Sequence, residues 1–297
     1  MSALSLVHLY SGKVRDLYEV GTSHLLMVAS DRLSAFDVVM PESIDHKGRV
    51  LTALTQFWVN EFAGDVPSAL VSCDPAVIEN YVPGFLGHSA WHGRAMLVRR
   101  AQMLELECVV RGRLAGSAFA EYEQLGTVHG MAAPSQMRLT DPFPEPMFTP
   151  STKADTGHDE NIDIETAQKL VGAKALNEAR ALCLDLFARA SQRLSDVGLV
   201  LADTKFELGY VDGALVLCDE VITPDSSRIW PTDEIVSGQT PPSFDKQPFR
   251  DWLLTQPWDR RPPAPHVPAE ILEITSRRYV AAYEKVTGRQ LRDWYGQ

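Results

Sequence analysis

Asp203, Lys205 and Glu207 stand two residues apart in LADTKFELGYVDGALVLCDEVITPDSSRIW, residues 201–230. On a β-strand that spacing puts all three on one face, while Phe206, Leu208 and Tyr210 point the other way, into a core. A lysine between two carboxylates is equipment for binding phosphate together with a divalent metal. Val211-Asp212-Gly213 supplies a turn and Ala214 to Leu217 returns apolar, so the segment reads as a β-hairpin. Asp219 and Glu220 come back opposite the lysine. A two-residue Asp-Gly turn pairs Lys205 with Glu220; a three-residue turn with Gly213 left-handed pairs it with Asp219. The longer turn is expected, because it sets Leu217 opposite Glu207 at the strand end and keeps Asp219 in the constellation. A solvated hairpin with cross-strand ion pairs would use the same residue types.

A second constellation runs from Glu107 through Arg111 and Arg113 to Gly116-Ser117. Here an apolar strand delivers two arginines and then a Gly-Ser step into a helix. Backbone amides at a helix start, with an arginine fork, suit a phosphate monoester or a carboxylate. Gly12-Lys13-Val14-Arg15 lies between two strands and can fold over phosphates, although it is neither a Walker A loop nor GxGxxG. Ser30-Asp31-Arg32 to Asp37 gathers polar groups just after a buried strand, as cleft linings and turns both do. FTPSTKADTGHDENI (148–162) mixes hydroxyls, Lys153 and acids around His158; its spacing is poor for a metal site and suits a ligand-covering loop or a plain solvated one.

The elements that must carry these groups follow from periodicity. The first hundred residues are strand-rich: 14–20, 25–29 and 95–100 read as strands, with a loop through 34–45 and a helix over about 49–62. Strand 104–111 follows, then a helix near 118–124 and an irregular segment over 126–163. One long helix is expected over 164–196, with Asp163 as N-cap, Gly198 as stop and a stripe of Leu176, Ala179, Leu182, Cys183, Leu186, Phe187, Ala190 and Leu194. Proline-rich 240–268 is expected to wrap the surface before a last helix over 269–287.

At 297 residues the chain can bury a large core, and its 45% hydrophobic and 23% charged residues are ordinary for a soluble globular protein. A net charge of −11 argues against general binding to nucleic acid or to an anionic membrane, but not against a small phosphorylated ligand. Four scattered cysteines read as reduced core thiols, and no signal peptide or membrane-length apolar run is seen, so a cytoplasmic protein is expected.

In order along the chain, SGKVRDLYEV, SDRLSAFDVVMPESIDHKGRVLTALTQFW, ECVVRGRLAGSAFAEY, FTPSTKADTGHDENI and LADTKFELGYVDGALVLCDEVITPDSSRIWP resemble the SAICAR synthetase family (phosphoribosylaminoimidazole-succinocarboxamide synthases) over most of residues 8–231. The 148–162 insertion and the long C-terminal extension resemble its longer, yeast-like branch. The resemblance implies an α+β fold of two lobes, reminiscent of protein kinases and ATP-grasp enzymes. An antiparallel β-rich ATP-binding lobe would span 1–103, and a larger mixed lobe for substrate and metal 104–297, with the active site in the cleft. The kinase HRD and DFG signatures are absent, which rejects a protein kinase.

It further implies an ATP- and Mg²⁺-dependent ligase that joins carboxyaminoimidazole ribotide (CAIR) and L-aspartate into SAICAR, with ADP and phosphate released, as a monomer or small homo-oligomer. Gly12, Lys13, Arg15, Met103, Glu107, Lys205 and Glu207 would bind ATP. Asp219, with Glu207, would hold the metal. Arg111, Ser117 and Arg228 would bind the CAIR phosphate or the substrate carboxylates, and Asp37 would contact substrate, with Glu42 a nearby candidate. Lys153, His158 and Asn161 would help hold aspartate. Lys205, Asp219 and Arg111 would carry the chemistry. A small-molecule kinase on a related fold, or a non-catalytic nucleotide-binding module, would retain many of the same residues.

Overall fold

Short runs of strand-forming residues separated by turn residues open the chain. The computed structural model describes residues 4–36, 38–153, 160–244 and 246–295. Val7–Ser11 (β1), Arg15–Val20 (β2) and His24–Ala29 (β3) form an antiparallel meander. Arg32–Ala35 (β4) and Val38–Ser43 (β5) pair as a hairpin where a loop was expected. Its Leu33, Val38 and Met40 have a reason to be ordered: they pack with Phe249, Leu253 and Val267, some two hundred residues on. Lys47–Phe62 (α1) starts two residues before the expected position. Leu70–Ser72 (β6), a short helix Pro75–Glu79 (α2) and Ala95–Arg99 (β7) follow, and a five-stranded sheet takes the order β1-β2-β3-β7-β6.

The second sheet is built around one long strand. Gln102–Met103 (β8), Leu106–Arg113 (β9), helix Gly116–Leu125 (α3) and the small hairpin Thr127–Val128 (β10) with Met131–Ala132 (β11) come first. Pro142–Phe148 (β12) and Ser151–Thr152 (β13) both pair with β9, so the segment expected to be irregular contributes strands. Where one long helix was expected there are two, Ile164–Val171 (α4) and Ala173–Ser195 (α5). Gly172 divides them, at φ 84° and ψ 153°, a conformation that only glycine adopts readily. Asp163 caps α4 as expected, its carboxylate accepting from Thr166 N–H at 2.7 Å. Leu199–Val211 (β14) then pairs with β8, β9, Ala214–Cys218 (β15) and Ser227–Pro231 (β16). The C-terminal segment holds Gln247–Leu254 (α6), inside the stretch expected to wrap the surface, and Ala269–Thr287 (α7).

The largest core joins α1, α5 and α7 to one face of β9 and β14. Trp58, Leu186, Phe206, Leu208 and Tyr279 are all fully buried there. Burial of side chains this size contributes roughly 1.5–3 kcal/mol each. Helix α5 approaches β9 so closely that a Cβ on Gly112 would lie 2.9 Å from the Phe187 ring. Of the expected α5 stripe only Leu182 is not fully buried. The four cysteines are buried and unpaired. With that face committed to the core, the opposite face of β9 and β14 is left for polar work.

Candidate functional site

The hairpin register is the two-residue one. Glu207 stands opposite Cys218 and Val211 opposite Ala214, with Asp212 at φ 53° and Gly213 at φ 79°. Two consecutive left-handed residues make the tight turn whose twist matches a hairpin. The expected three-residue turn, with Leu217 opposite Glu207 and Asp219 in register with Lys205, is therefore overturned. Asp219 does not continue the strand at all. It sits at φ 52° and turns the chain into the 219–226 loop.

Alternation on two antiparallel strands then assembles the site face. Asp203 pairs with Arg111 and Lys205 with Val109, so Asp203, Lys205, Glu207, Arg111 and Glu107 project on the same side. At one end the Lys205 ammonium contacts the Glu107 carboxylate and lies 3.3 Å from Glu207. Lys153, beyond β13, reaches the other oxygen of Glu207 at 2.5 Å. Burial works against the charge on Lys205, but Glu207 and Glu107 outweigh it and hold the ammonium above its ordinary value. Arg15, at the start of β2, spans to the loop: its guanidinium lies 2.6 Å from Asp219 and 3.2 Å from Glu220. Burial opposes its charge as well, and those two carboxylates again prevail.

At the other end lies an arginine cradle. The Arg111 guanidinium is 6% exposed. It donates to Asp203 at 3.0 Å, to the Thr149 hydroxyl at 3.0 Å and to the Ser117 hydroxyl at 3.2 Å. Its Nη2 also lies 3.4 Å from His129 Nε2. Arginine has only donors, so that nitrogen is the unprotonated one. Burial first, and Arg111 second, lower the His129 pKa to about 4. Arg228 binds the same Asp203 oxygen as Arg111. Its guanidinium lies over Gly116, at the start of α3, where an added Cβ would come within 2.2 Å of Nη2. A cavity of about 190 Å³ is lined here by Gly116, Arg228, Trp230 and Arg250; a smaller one, about 110 Å³, by Asp203, Ser227, Arg228 and Arg250.

The remaining expected residues fall as follows. Gly12 holds the turn between β1 and β2: its N–H donates to the Arg15 carbonyl at 2.7 Å and its own carbonyl accepts from Arg32 at 2.8 Å. Lys13 is exposed beside it. Met103 is 39% exposed and pairs with Gly209 on β14. Asn161 bridges to Ser151, which itself pairs with Glu107. Glu42 is turned toward the C-terminal segment, where it meets His266 at 2.7 Å and the Val267 N–H at 3.1 Å. Asp37 and His158 lie outside the described residues. His129 and Arg250 were not anticipated and carry no local signal, since each reaches the site from a separate element; Glu220 was an alternative partner for Lys205, and Thr149 lay in the hydroxyl-rich 148–162 segment without a role of its own.

A sheet face that sets an acid–base cluster beside an arginine–hydroxyl cradle defines an enzyme equipped for phosphate-bearing small molecules. Comparison narrows the class. The SAICAR synthetase family model matches residues 8–265. A phosphoribosylaminoimidazole-succinocarboxamide synthase of Syntrophotalea carbinolica is 49% identical over 282 residues, covering 93% of each chain. The synthase of that name from Saccharopolyspora erythraea is 47% identical over 290 residues, 96% of this chain and 95% of its own. Among solved structures, the SAICAR synthase of Saccharomyces cerevisiae complexed with SAICAR superposes with a TM-score of 0.89 at 39% identity, over 96% of both chains. This chain belongs to the SAICAR synthetase family.

Proposed function

We propose that this enzyme joins CAIR and L-aspartate at the expense of ATP, releasing SAICAR, ADP and phosphate, in purine biosynthesis. Family membership supports the reaction, and one observation supports its location. The Asp203-bridged pair Arg111 and Arg228 begins two residues along β14 from Lys205, a rise of about 6.6 Å. A nucleotide's terminal phosphate at Lys205 and a ribotide at the arginines would then be neighbours.

The chemistry fits these groups. A carboxylate is a poor acyl donor, so a CAIR carboxylate oxygen attacks the γ-phosphorus and ADP leaves. The aspartate amine attacks the resulting acyl phosphate, loses a proton, and phosphate departs. Lys205 and Arg15 neutralise charge on the nucleotide phosphates. Arg111, Ser117 and Arg228 hold the ribotide, joined by Asp37. Gly12 and Lys13 cover the phosphates and Met103 lies toward the adenine, while Glu107, in contact with Lys205, stands at the phosphate end rather than beside the base. Lys153, His158 and Asn161 hold aspartate. We read residues 1–103 as the nucleotide lobe and 104–297 as the lobe for substrate and metal.

Glu207 and Asp219 suit Mg²⁺, which is typically held by one or two carboxylates plus substrate phosphates. The donor set fits that mode: among the described residues no three His, Cys, Asp or Glu gather as a self-sufficient site, yet Glu207 and the residue before Asp219 are cross-strand partners. When bound there, Mg²⁺ would neutralise charge moving between phosphate oxygens. No helix among the described residues is long and apolar enough to cross a membrane, and we assign the enzyme to the cytoplasm.

A coupled assay of ADP release tests the reading. ADP should appear only when ATP, CAIR and aspartate are all present. ADP formed from ATP and CAIR alone, with a stable phosphorylated product, would instead identify a small-molecule kinase.

A further inference from the structure

The loop that carries Arg228 is gripped by α1, α6 and α7, of which α6 also lends Arg250 to the cavities beside Arg228. Asp225 lies at the centre of the grip, its side chain 3% exposed. One oxygen sits 2.8 Å from the Lys47 ammonium of α1. The other accepts the Tyr279 hydroxyl of α7 at 2.5 Å and lies 3.2 Å from the Lys246 ammonium at the start of α6. Lys47 is itself 1% exposed. A buried ion pair gains little net stability over apolar packing, because removing both charges from water opposes their attraction. Three elements converging on one carboxylate are better explained by what they fix in place.

What they fix is the turn before Arg228. Thr223 Oγ1 accepts from the N–H groups of Asp225 at 3.2 Å and Ser226 at 3.3 Å, and donates to Glu220 at 2.6 Å. The Ser226 carbonyl accepts from Lys205 N–H at 2.9 Å, and Ser227 shares a 2.7 Å hydrogen bond with Thr204. The loop is thus tied to β14 on one side and, through Asp225, to α1, α6 and α7 on the other, with a further 3.3 Å hydrogen bond from the Val221 N–H to Thr55 of α1. Residue 228 follows three positions later, its guanidinium over Gly116.

We propose that Lys47, Lys246 and Tyr279 are positioning residues: through Asp225 they set the 223–228 loop so that Arg228 meets the ribotide, and the C-terminal segment thereby tunes affinity for CAIR. This rests on the reading of Arg228 as a ribotide ligand. Steady-state kinetics on the full chain, varying CAIR and ATP separately, test it. Tyr279→Phe keeps the ring in the core and removes only the hydroxyl; Lys246→Gln removes one charge and leaves the Lys47 pair. Each should raise KM for CAIR roughly tenfold, the scale of one hydrogen bond to a charged group, and leave KM for ATP unchanged. Ser276→Ala, which breaks a different C-terminal contact, to the Asp45 carbonyl at 2.8 Å, should change neither. A purely structural loss would lower kcat through the active fraction and leave KM for CAIR as it was; that result in both variants overturns the proposal. Arg228→Ala separates the two readings. If it raises KM for CAIR while the bracing variants do not, only the bracing fails. If it leaves KM unmoved, the ribotide reading fails first.

Discussion

The two ends of the site face are built from the same strands and carry opposite charge. Around Lys205, three cations (Lys205, Lys153, Arg15) face four carboxylates (Glu107, Glu207, Asp219, Glu220), which leaves one negative charge in excess. Around Arg111, two arginines share one carboxylate, Asp203, and Arg250 lines the same cavities, so positive charge is in excess among the described residues. Each end has a buried anchor and a more exposed cation: Arg111 and Asp203 are 6% exposed and Arg228 35%, whereas Glu207 and Arg15 are 5% and 8% exposed and Lys205 and Lys153 32% and 39%. The lesson is a division of labour. The arginine end, anchored by the buried Arg111–Asp203 pair, offers excess positive charge; the lysine end, anchored by the buried Glu207 and Arg15, carries two partly exposed lysines that can exchange a carboxylate partner for another ion.

On that division, the largest effect comes from removing the cation at the centre of the lysine end. Lys205→Ala should lower kcat by roughly two to four orders of magnitude, as expected for loss of electrostatic stabilisation of a developing charge. KM for CAIR should change little. A variant that keeps its turnover but loses CAIR affinity would reverse the roles given to the two ends, and unchanged turnover would favour a non-catalytic nucleotide-binding module.

The cradle is sensitive to shape instead. Gly116 stands at φ 56°, and an added Cβ would lie 2.2 Å from Arg228 Nη2. Gly116→Ala must displace the guanidinium and strain the backbone, at about 1–2 kcal/mol for the latter alone. It should raise KM for CAIR by roughly ten- to a hundredfold, since each 1.4 kcal/mol is about tenfold, and leave kcat at saturating CAIR within a few-fold. Saturation curves in CAIR give both quantities from one experiment.

How far each end could be read from the chain follows from the same contrast. The spacing of Asp203, Lys205 and Glu207 identifies one face because strand periodicity is local. That Arg111 would meet Asp203 is a register between residues 92 apart, and no spacing within either segment encodes it. The hairpin shows a local rule losing to an inference about function. Asp-Gly already signals a two-residue turn, and the longer turn was preferred in order to bring Asp219 opposite Lys205. The chain solves that problem outside the ladder, by leaving the strand at Asp219 and binding it to Arg15. Lys47 illustrates the limit most clearly. Before a run of helix-forming residues a lysine reads as solvated, and its burial makes sense only once Asp225, 178 positions later, lies beside it.

Protonation gives the next test, because His129 ties the cradle alone to pH. Its pKa of about 4 lies below the ordinary 6.5, chiefly because the ring is buried and secondarily because Arg111 faces it. As pH falls through 6.5 the unfolded chain takes up a proton that the folded chain refuses until about 4. Folding stability due to this group is therefore complete above 6.5 and declines across that window, by at most about 1.4 kcal/mol per pH unit. Denaturant unfolding of the wild type and His129→Gln at several pH values should give curves whose difference carries this slope between pH 6.5 and 4. If both proteins lose stability in parallel, the imidazole is not the group responsible.

The smallest effect probes the lysine end most directly. Lys153 is 39% exposed and binds a Glu207 that is only 5% exposed. An exposed partner of this kind contributes about 0–1 kcal/mol, so Lys153→Ala should leave unfolding midpoints almost unchanged. Its effect on the charge balance is more telling. With Lys153 gone, Glu207 retains Lys205 as a cationic neighbour, and an incoming Mg²⁺ contends with one ammonium fewer for its carboxylate. If Glu207 and Asp219 are where Mg²⁺ binds, the Mg²⁺ concentration for half-maximal ADP release should fall by roughly two- to fivefold, the size of one exposed pair. If the requirement for Mg²⁺ rises instead, Lys153 is not a competitor but a helper, and the lysine end would be as fixed in its partners as the cradle beside it.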